Sequence, residues 1–172
     1  MLRIMSWILA LFVIFVFVQS LFFKFTGAPE SILIFSLIDI TAEEWLGLTF
    51  FEPTMRFGVG GAEALASVLL LIPFTRVGGA FVGFVIMTGA IGFHLLTALG
   101  TSPSGVVAKD GTVYPDAASV DAIAAIANGA TVIEGDTLFT VAGYDLGILF
   151  LMACGVWVAC LILMMIGSGN RN

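Results

Sequence analysis

Four apolar runs, at about residues 4–23, 57–73, 77–99 and 146–166, decide what this chain can fold into. Each is close to the roughly 17–25 residues that a helix needs to cross a bilayer. In hydrocarbon every backbone N–H and C=O must be satisfied within the protein, and isolated runs of this length can do that only as α-helices. The expected fold class is an all-α membrane protein built on a four-transmembrane-helix bundle. Composition agrees. The chain is 60% hydrophobic and 10% charged, whereas soluble domains carry about 25% charged residues. The first run resembles a signal peptide, but it is longer than the usual apolar core and lacks a small-x-small cleavage site, so it is read as retained.

The formal charge of −6 describes the loops, where the acids are concentrated. No Lys/Arg cluster is present, which argues against nucleic-acid binding. Cys154 and Cys160 stand on one apolar run about 240° apart around a helix, so they are read as small packing residues and not as a disulfide.

Orientation follows the basic residues. Arg3, Arg76 and Arg171 lie in short segments on one side, and Lys24, Arg56 and Lys109 lie in longer acidic segments on the other. The density of arginine in the short segments places both termini in the cytoplasm. Pro73 and Thr75 mark a tight turn between the second and third spans, with Thr75 as the expected N-cap. Gly100 and Gly167 read as residues just past helix ends.

The two longer loops carry their own signals. Within residues 24–56, the stretch 31–38 is too short to span and reads as a short interfacial or re-entrant helix starting at Ala28-Pro29. Thr41-Ala42-Glu43-Glu44 resembles a capping box, which predicts a further short helix. Residues 101–143 read as a small extramembrane α/β cap. It holds a helix over 116–128 with Val120, Ile123, Ala124 and Ala127 on one apolar face. It also holds a hairpin of 131–134 and 137–141 about Gly135-Asp136. The domain reading is thus a bundle of 1–100 and 144–172 with a cap insertion at 101–143.

Glu63 and His94 are ionisable residues inside apolar runs, where buried charge is costly and enriched at functional sites. Glu63 lies about 9 Å below Phe57, and His94 about 8 Å below Leu99, at 1.5 Å per residue. Two antiparallel spans would therefore bring them to one level. Glu63 shares its face with Gly60 and Ser67, and His94 shares its face with Ala90 and Thr97, with Gly83 further along. Small and hydroxylic residues of this kind mark helix contacts in membranes. Gly79-x3-Gly83 adds a close-packing motif. Lys24 ends the first span with Ser20 one turn below. Gln19, Lys24, Glu30, Arg56 and Asp145 complete the expected structural polar layer, with Tyr144 beside Asp145. Glu63 and His94 are the catalytic candidates; the equal alternative is a polar clasp that fixes helix register. One His and one carboxylate are too few ligands for a tight metal site, so no metal is expected.

The stretches LFFKFTGAPES with IFSLI, RFGVGGAEALASVLLLIP and GAFVGFVIMTGAIGFHLLTALG, covering about residues 21–38 and 56–100, resemble the DoxX family of small four-span membrane proteins. That family is related to the DoxD/DoxX subunits of thiosulfate:quinone oxidoreductase. Lys24, Glu63 and His94 occupy the positions of its characteristic polar residues. The resemblance implies a redox-associated membrane component. The long third loop departs from the family pattern, in which the chain re-enters the fourth span quickly, so 104–140 read as removable.

Three functions follow as expectations. The first is an accessory subunit whose cap at 101–143 and loop at 24–56 meet a protein partner. The second is the membrane subunit of a quinone-linked oxidoreductase, with Lys24, Glu63 and His94 against a quinone headgroup. Here His94 supplies a proton carrier and Glu63 sets its charge. The third is a small-solute or proton transporter, which a single polar layer near one face supports poorly. Haem-attachment, dinucleotide and P-loop motifs do not occur. The topology is testable: a cysteine placed at Ser119 is expected to react with an impermeant thiol reagent in intact cells, and reaction only after lysis would invert the orientation.

Overall fold

The computed structural model describes the backbone of residues 2–97, 99–141 and 144–169, and their side chains except at 137, 139–141, 144, 145, 168 and 169. The helices are α1 (Leu2–Thr26), α2 (Pro29–Leu46), α3 (Arg56–Leu71, preceded by a kinked turn at Phe51–Met55 in which Glu52 is extended), α4 (Arg76–Leu96), α5 (Val120–Ala127) and α6 (Ile148–Gly169). Among the described residues, five short strands fall between α4 and α6: β1 (Gly105–Val107), β2 (Val113–Tyr114), β3 (Thr131–Ile133), β4 (Thr137–Val141) and β5 (Tyr144–Gly147).

α1, α4, α6 and α3 with its leading turn are long and apolar enough to cross a membrane. They pack in the ring order α1, α3, α4, α6. Their core is narrow: Ala10, Val13, Phe17, Ala66, Leu70, Ala80, Val156, Cys160 and Leu163 meet along the axis. At most a third of each spanning segment is buried, and Phe15, Phe22, Leu65 and Phe81 face outward. An outer surface of that kind is stable in lipid and not in water.

Small residues let the helices approach. A Cβ on Gly79 would stand 2.8 Å from the Leu70 nitrogen and 2.9 Å from the Ala66 oxygen. One on Gly83 would stand 2.9 Å from Cys160 Sγ. The Gly79-x3-Gly83 motif therefore seats α4 against α3 at one residue and against α6 at the other. Both cysteines are free thiols, as packing residues would be.

Several local expectations change. Residues 29–46 form one helix and not two, because the buried Thr41 hydroxyl donates back to Leu37 O (3.2 Å) inside the helix and does not cap a new one. Pro29 starts that helix and Gly47, at φ +67°, ends it. Thr75 holds the N-cap position of α4, yet its hydroxyl donates to Leu69 O (2.9 Å) and so closes the end of α3. α6 runs through Gly167 and is not ended by it. The hairpin about Gly135-Asp136 does not form. β3 pairs antiparallel with β1 in a sheet of order β2-β1-β3, and β4 pairs with β5. Asp136 is used differently: its carbonyl accepts from Ile148 N–H (3.2 Å) and its Oδ2 from Leu149 N–H (3.1 Å), so it caps the start of α6.

α5 starts at Val120 and not at residue 116, because Asp116 turns the chain onto Ala118 N–H and the Ser119 hydroxyl accepts from Ala122 N–H as the N-cap. Asn128-Gly129 stops it as expected, with Gly129 at φ +85°.

α2 and the three-stranded sheet share a second core. Leu33, Leu37 and Ile38 pack with Leu99 and Val107, flanked by Val113, Ile133, Phe51 and Phe93. Gly105 is required there, since its Cβ would stand 2.8 Å from Leu33 Cδ1. That packing counts against residues 104–140 as a removable attachment: without them the apolar face of α2 loses its cover.

Adjacent glycines test the helix approach. Gly79→Ala drives a methyl into the α3 backbone and is expected to cost about 1–3 kcal/mol. Gly78→Ala meets nothing within 4 Å, and it is expected to be neutral or stabilising because alanine is the better helix former. Thermal unfolding of both variants in one detergent checks this; equal midpoints would mean that α3 and α4 are not in contact at Gly79.

Candidate functional site

Lys24 sits in the last turn of α1, and its chain reaches back past Ser20 to α3. Its Nζ donates to both carboxylate oxygens of Glu63, at 2.7 and 2.8 Å, and to Ser20 Oγ at 2.6 Å. Ser20 Oγ also approaches Glu63 Oε1 at 3.4 Å. Glu63 is 2% exposed and Lys24 9%, so the pair sits away from solvent and its geometry must repay the desolvation of both charges. The bidentate contact and the third donor bond to serine satisfy that condition.

The surroundings are built for this pair. Gly60 leaves room for the Phe25 ring, 3.1 Å from where a Cβ would stand, and Phe25 packs on Phe57. Arg56 is buried at the head of α3. Its Nη1 donates to the carbonyl of Lys24, its Nε donates to both Glu52 oxygens at 2.9 and 3.1 Å, and its guanidinium stacks 4.6 Å from the Phe57 centroid. It therefore ties off an α1 backbone carbonyl beside the ion pair. Asp39 of α2 accepts from Phe51 N–H (2.8 Å) and Glu52 N–H (3.1 Å), which fixes the turn that leads into α3.

His94 belongs to a different cluster. Its Nδ1 donates to Gly100 O at 2.5 Å, the only polarity a carbonyl allows, so the bare nitrogen of the neutral ring is Nε2. The ring meets Phe150 of α6 edge-on at 5.5 Å, and the Asp136 carboxylate lies within electrostatic reach. Asp136 Oδ1 is buried and has no hydrogen-bond partner.

Glu63 and His94 do not share a level. Glu63 lies nine residues from the α3 cap at Ile72, and His94 lies nineteen residues from the α4 cap at Thr75. Measured from their common turn, His94 is about 15 Å further along the bundle. Phe51, ahead of α3, stacks edge-on with Phe93 at 5.7 Å, which puts His94 near the head of α3. The expectation of one level measured depth from the other ends of the two runs. Those ends are not level, because α3 has sixteen residues and α4 twenty-one, so α4 runs past the head of α3.

Of the expected layer, Lys24 and Arg56 join Glu63, whereas Gln19 and Glu30 stand exposed outside the cluster. The side chains of Asp145 and Tyr144 lie outside the described residues. Two polar groups carry more than their sequence positions announced. Asp136 caps α6 beside His94, although Gly135-Asp136 had read as a turn. Arg76 had served only to orient the chain. It donates from Nε to Leu70 O (3.0 Å) and from Nη1 to Ser6 Oγ (3.0 Å), and it lies 3.9 Å over the Trp7 ring. It clamps α1, α3 and α4 at the turn end of the bundle. Among the described residues, no three His, Cys, Asp or Glu side chains converge as a metal site.

No protein-family model, no curated protein and no solved structure matches the chain.

A double-mutant cycle separates the two clusters. Lys24→Met or Glu63→Leu alone strands a buried charge and is expected to cost about 3–5 kcal/mol, while the double variant returns near the parent. The same cycle on Glu63 and His94 is expected to be additive within about 0.5 kcal/mol. Strong coupling between Glu63 and His94, with none between Glu63 and Lys24, would reverse the assignment.

Proposed function

We propose that this chain is an accessory subunit of a larger, redox-linked membrane assembly, related to the DoxX family. Its setting is a bacterial inner membrane with both termini cytoplasmic. The observation that carries this reading is the Lys24–Glu63 pair. Both carboxylate oxygens of Glu63 are held by the ammonium of Lys24, with Ser20 completing the set. A carboxylate so occupied is not free to take a proton or bind a cofactor, whereas it serves well as a register clasp between α1 and α3. The second support is the joint core of α2 with the sheet. In this reading α2 lies along the membrane surface, and residues 101–143 form a cap upon it. The loop 24–56 and the cap then present one continuous surface to a protein partner.

One observation favours a second reading, in which the chain is the membrane subunit of a quinone-linked oxidoreductase. With Nδ1 on Gly100, His94 leaves Nε2 as an acceptor for a quinol hydroxyl, and the orphaned Asp136 oxygen lies nearby. In that version the quinone site is His94 with Asp136, and Glu63 is structural.

Purification of the assembly in a mild detergent, with identification of co-purifying chains and lipids, tests both readings. As an accessory subunit, the chain brings down redox partners. His94→Phe leaves quinone reduction per assembled complex within about twofold, and Glu63→Gln lowers the assembled amount and not the rate. A loss of about tenfold or more in rate on His94→Phe, at constant assembly, would favour the quinone site instead. A chain that purifies alone would overturn the accessory role.

A further inference from the structure

α5 packs on the sheet through the wrong side for an ordinary amphipathic helix. Its buried residue is Ala122, at 0% exposure, while Val120 is 83% exposed and Ile123 57%. Ala124 and Ala127 are exposed as well. Positions 120, 123, 124 and 127 form the i, i+3, i+4, i+7 stripe that helices bury, and here the stripe faces outward. The fold does not need it, since α5 is held by Ala122, its Ser119 cap and the Gly129 stop.

Charge decides what the stripe meets. Exposed Asp116 leads into α5, exposed Asp121 lies on it, and exposed Asp110 stands across a cleft of about 420 Å³ that Asp121, Tyr114, Asn128 and Lys109 also line. Lys109 is the one cation in that set. A helix lying on lipid carries Lys and Arg beside its apolar face, not aspartates, and anionic headgroups would repel this rim. A second copy would set the same acidic rim against itself. An apolar groove edged with Lys or Arg satisfies both the stripe and the rim.

We propose that α5 is a docking helix that inserts Val120, Ile123, Ala124 and Ala127 into an apolar groove, with a basic rim, on a protein partner. The proposal rests on the accessory reading for its setting and assigns the partner's chemistry.

The test uses the full chain in native membranes, with a benzophenone amino acid at Ile123 or Ala127 and, as control, at Thr112, which is exposed in the same unit. Irradiation is expected to give a protein adduct at 123 and 127 at about tenfold the yield at 112. The cross-linked partner peptide is expected to be apolar and flanked by Lys or Arg. Asp116→Lys with Asp121→Lys is expected to cut the yield by about fivefold or more, as like charges would then meet. Adducts to lipid or to a second copy, equal yields at all three positions, no adduct, or indifference to the charge reversal would each overturn the proposal. Co-purification separates it from the accessory reading. If redox chains co-purify equally with the parent and with Val120→Asp/Ile123→Asp, the docking helix fails and the accessory role stands. If none co-purify while the adduct maps to a basic-rimmed groove, the accessory role fails and the docking helix stands.

Discussion

A charge carried into an apolar medium must bring its partner with it, and the bundle is arranged around that requirement. Lys24 and Glu63 are far apart in sequence and meet at 2.7 Å only because α1 and α3 lie side by side. Losing either leaves the other buried and unpaired, which is costlier than never having placed the charges there. The pair therefore selects one alignment of α1 on α3, where a purely apolar contact between lipid-facing helices would tolerate sliding. Arg56 extends the constraint to the backbone, because its donor to the Lys24 carbonyl belongs to the head of α3. At the opposite end, Arg76 repeats the device with Ser6, Leu70 and Trp7. Polar clamps at two levels hold what the narrow apolar core between them cannot orient alone.

The same economy explains why α2 and the sheet belong together. α2 carries Glu30, Asp39, Glu43 and Glu44 and is too polar to span as a separate helix, and its buried face of Leu33, Leu37 and Ile38 needs a cover. Val107, Val113 and Ile133 supply it from the far side of α4 in sequence. Asp39 then fastens α2 to the turn before α3, and Asp136 fastens the chain after the sheet to α6. Two carboxylates thus cap two helix starts, where aligned peptide N–H groups favour negative charge. The sheet-bearing unit is stitched to the bundle at the heads of α3 and α6.

The spans, the tight turn, the close-packing glycines and the importance of Lys24, Glu63 and Arg56 were legible because each rests on local chemistry: run length, turn residues, small-residue spacing, charge in hydrocarbon. Relative height was misread, although the tight turn gives it: counted from that turn, His94 lies ten residues further along than Glu63, or about 15 Å. Counting from the outer ends of the two runs assumed that those ends are level, whereas α3 has sixteen residues and α4 twenty-one. The strand pairing failed for a different reason. Gly135-Asp136 has the composition of a tight turn, but a turn residue and a helix cap draw on the same side-chain chemistry. Here the α6 N–H groups compete for Asp136 and win. The apolar stripe of α5 was legible as a stripe in need of a neighbour, but not what meets it, because periodicity shows which residues share a face and not what covers that face.

The separation of Glu63 from His94 changes what the bundle can do. A single mixed layer would have joined an acid, a base and a lysine in one site. Instead the acid is neutralised within the helices, and the imidazole stands near the sheet end, tied to Gly100, edged by Phe150 and faced by Asp136. The Lys24–Glu63 pair and the His94 imidazole thus stand in separate clusters. The first can be held rigid for alignment, while the second sits where α4, α6 and the chain between them converge.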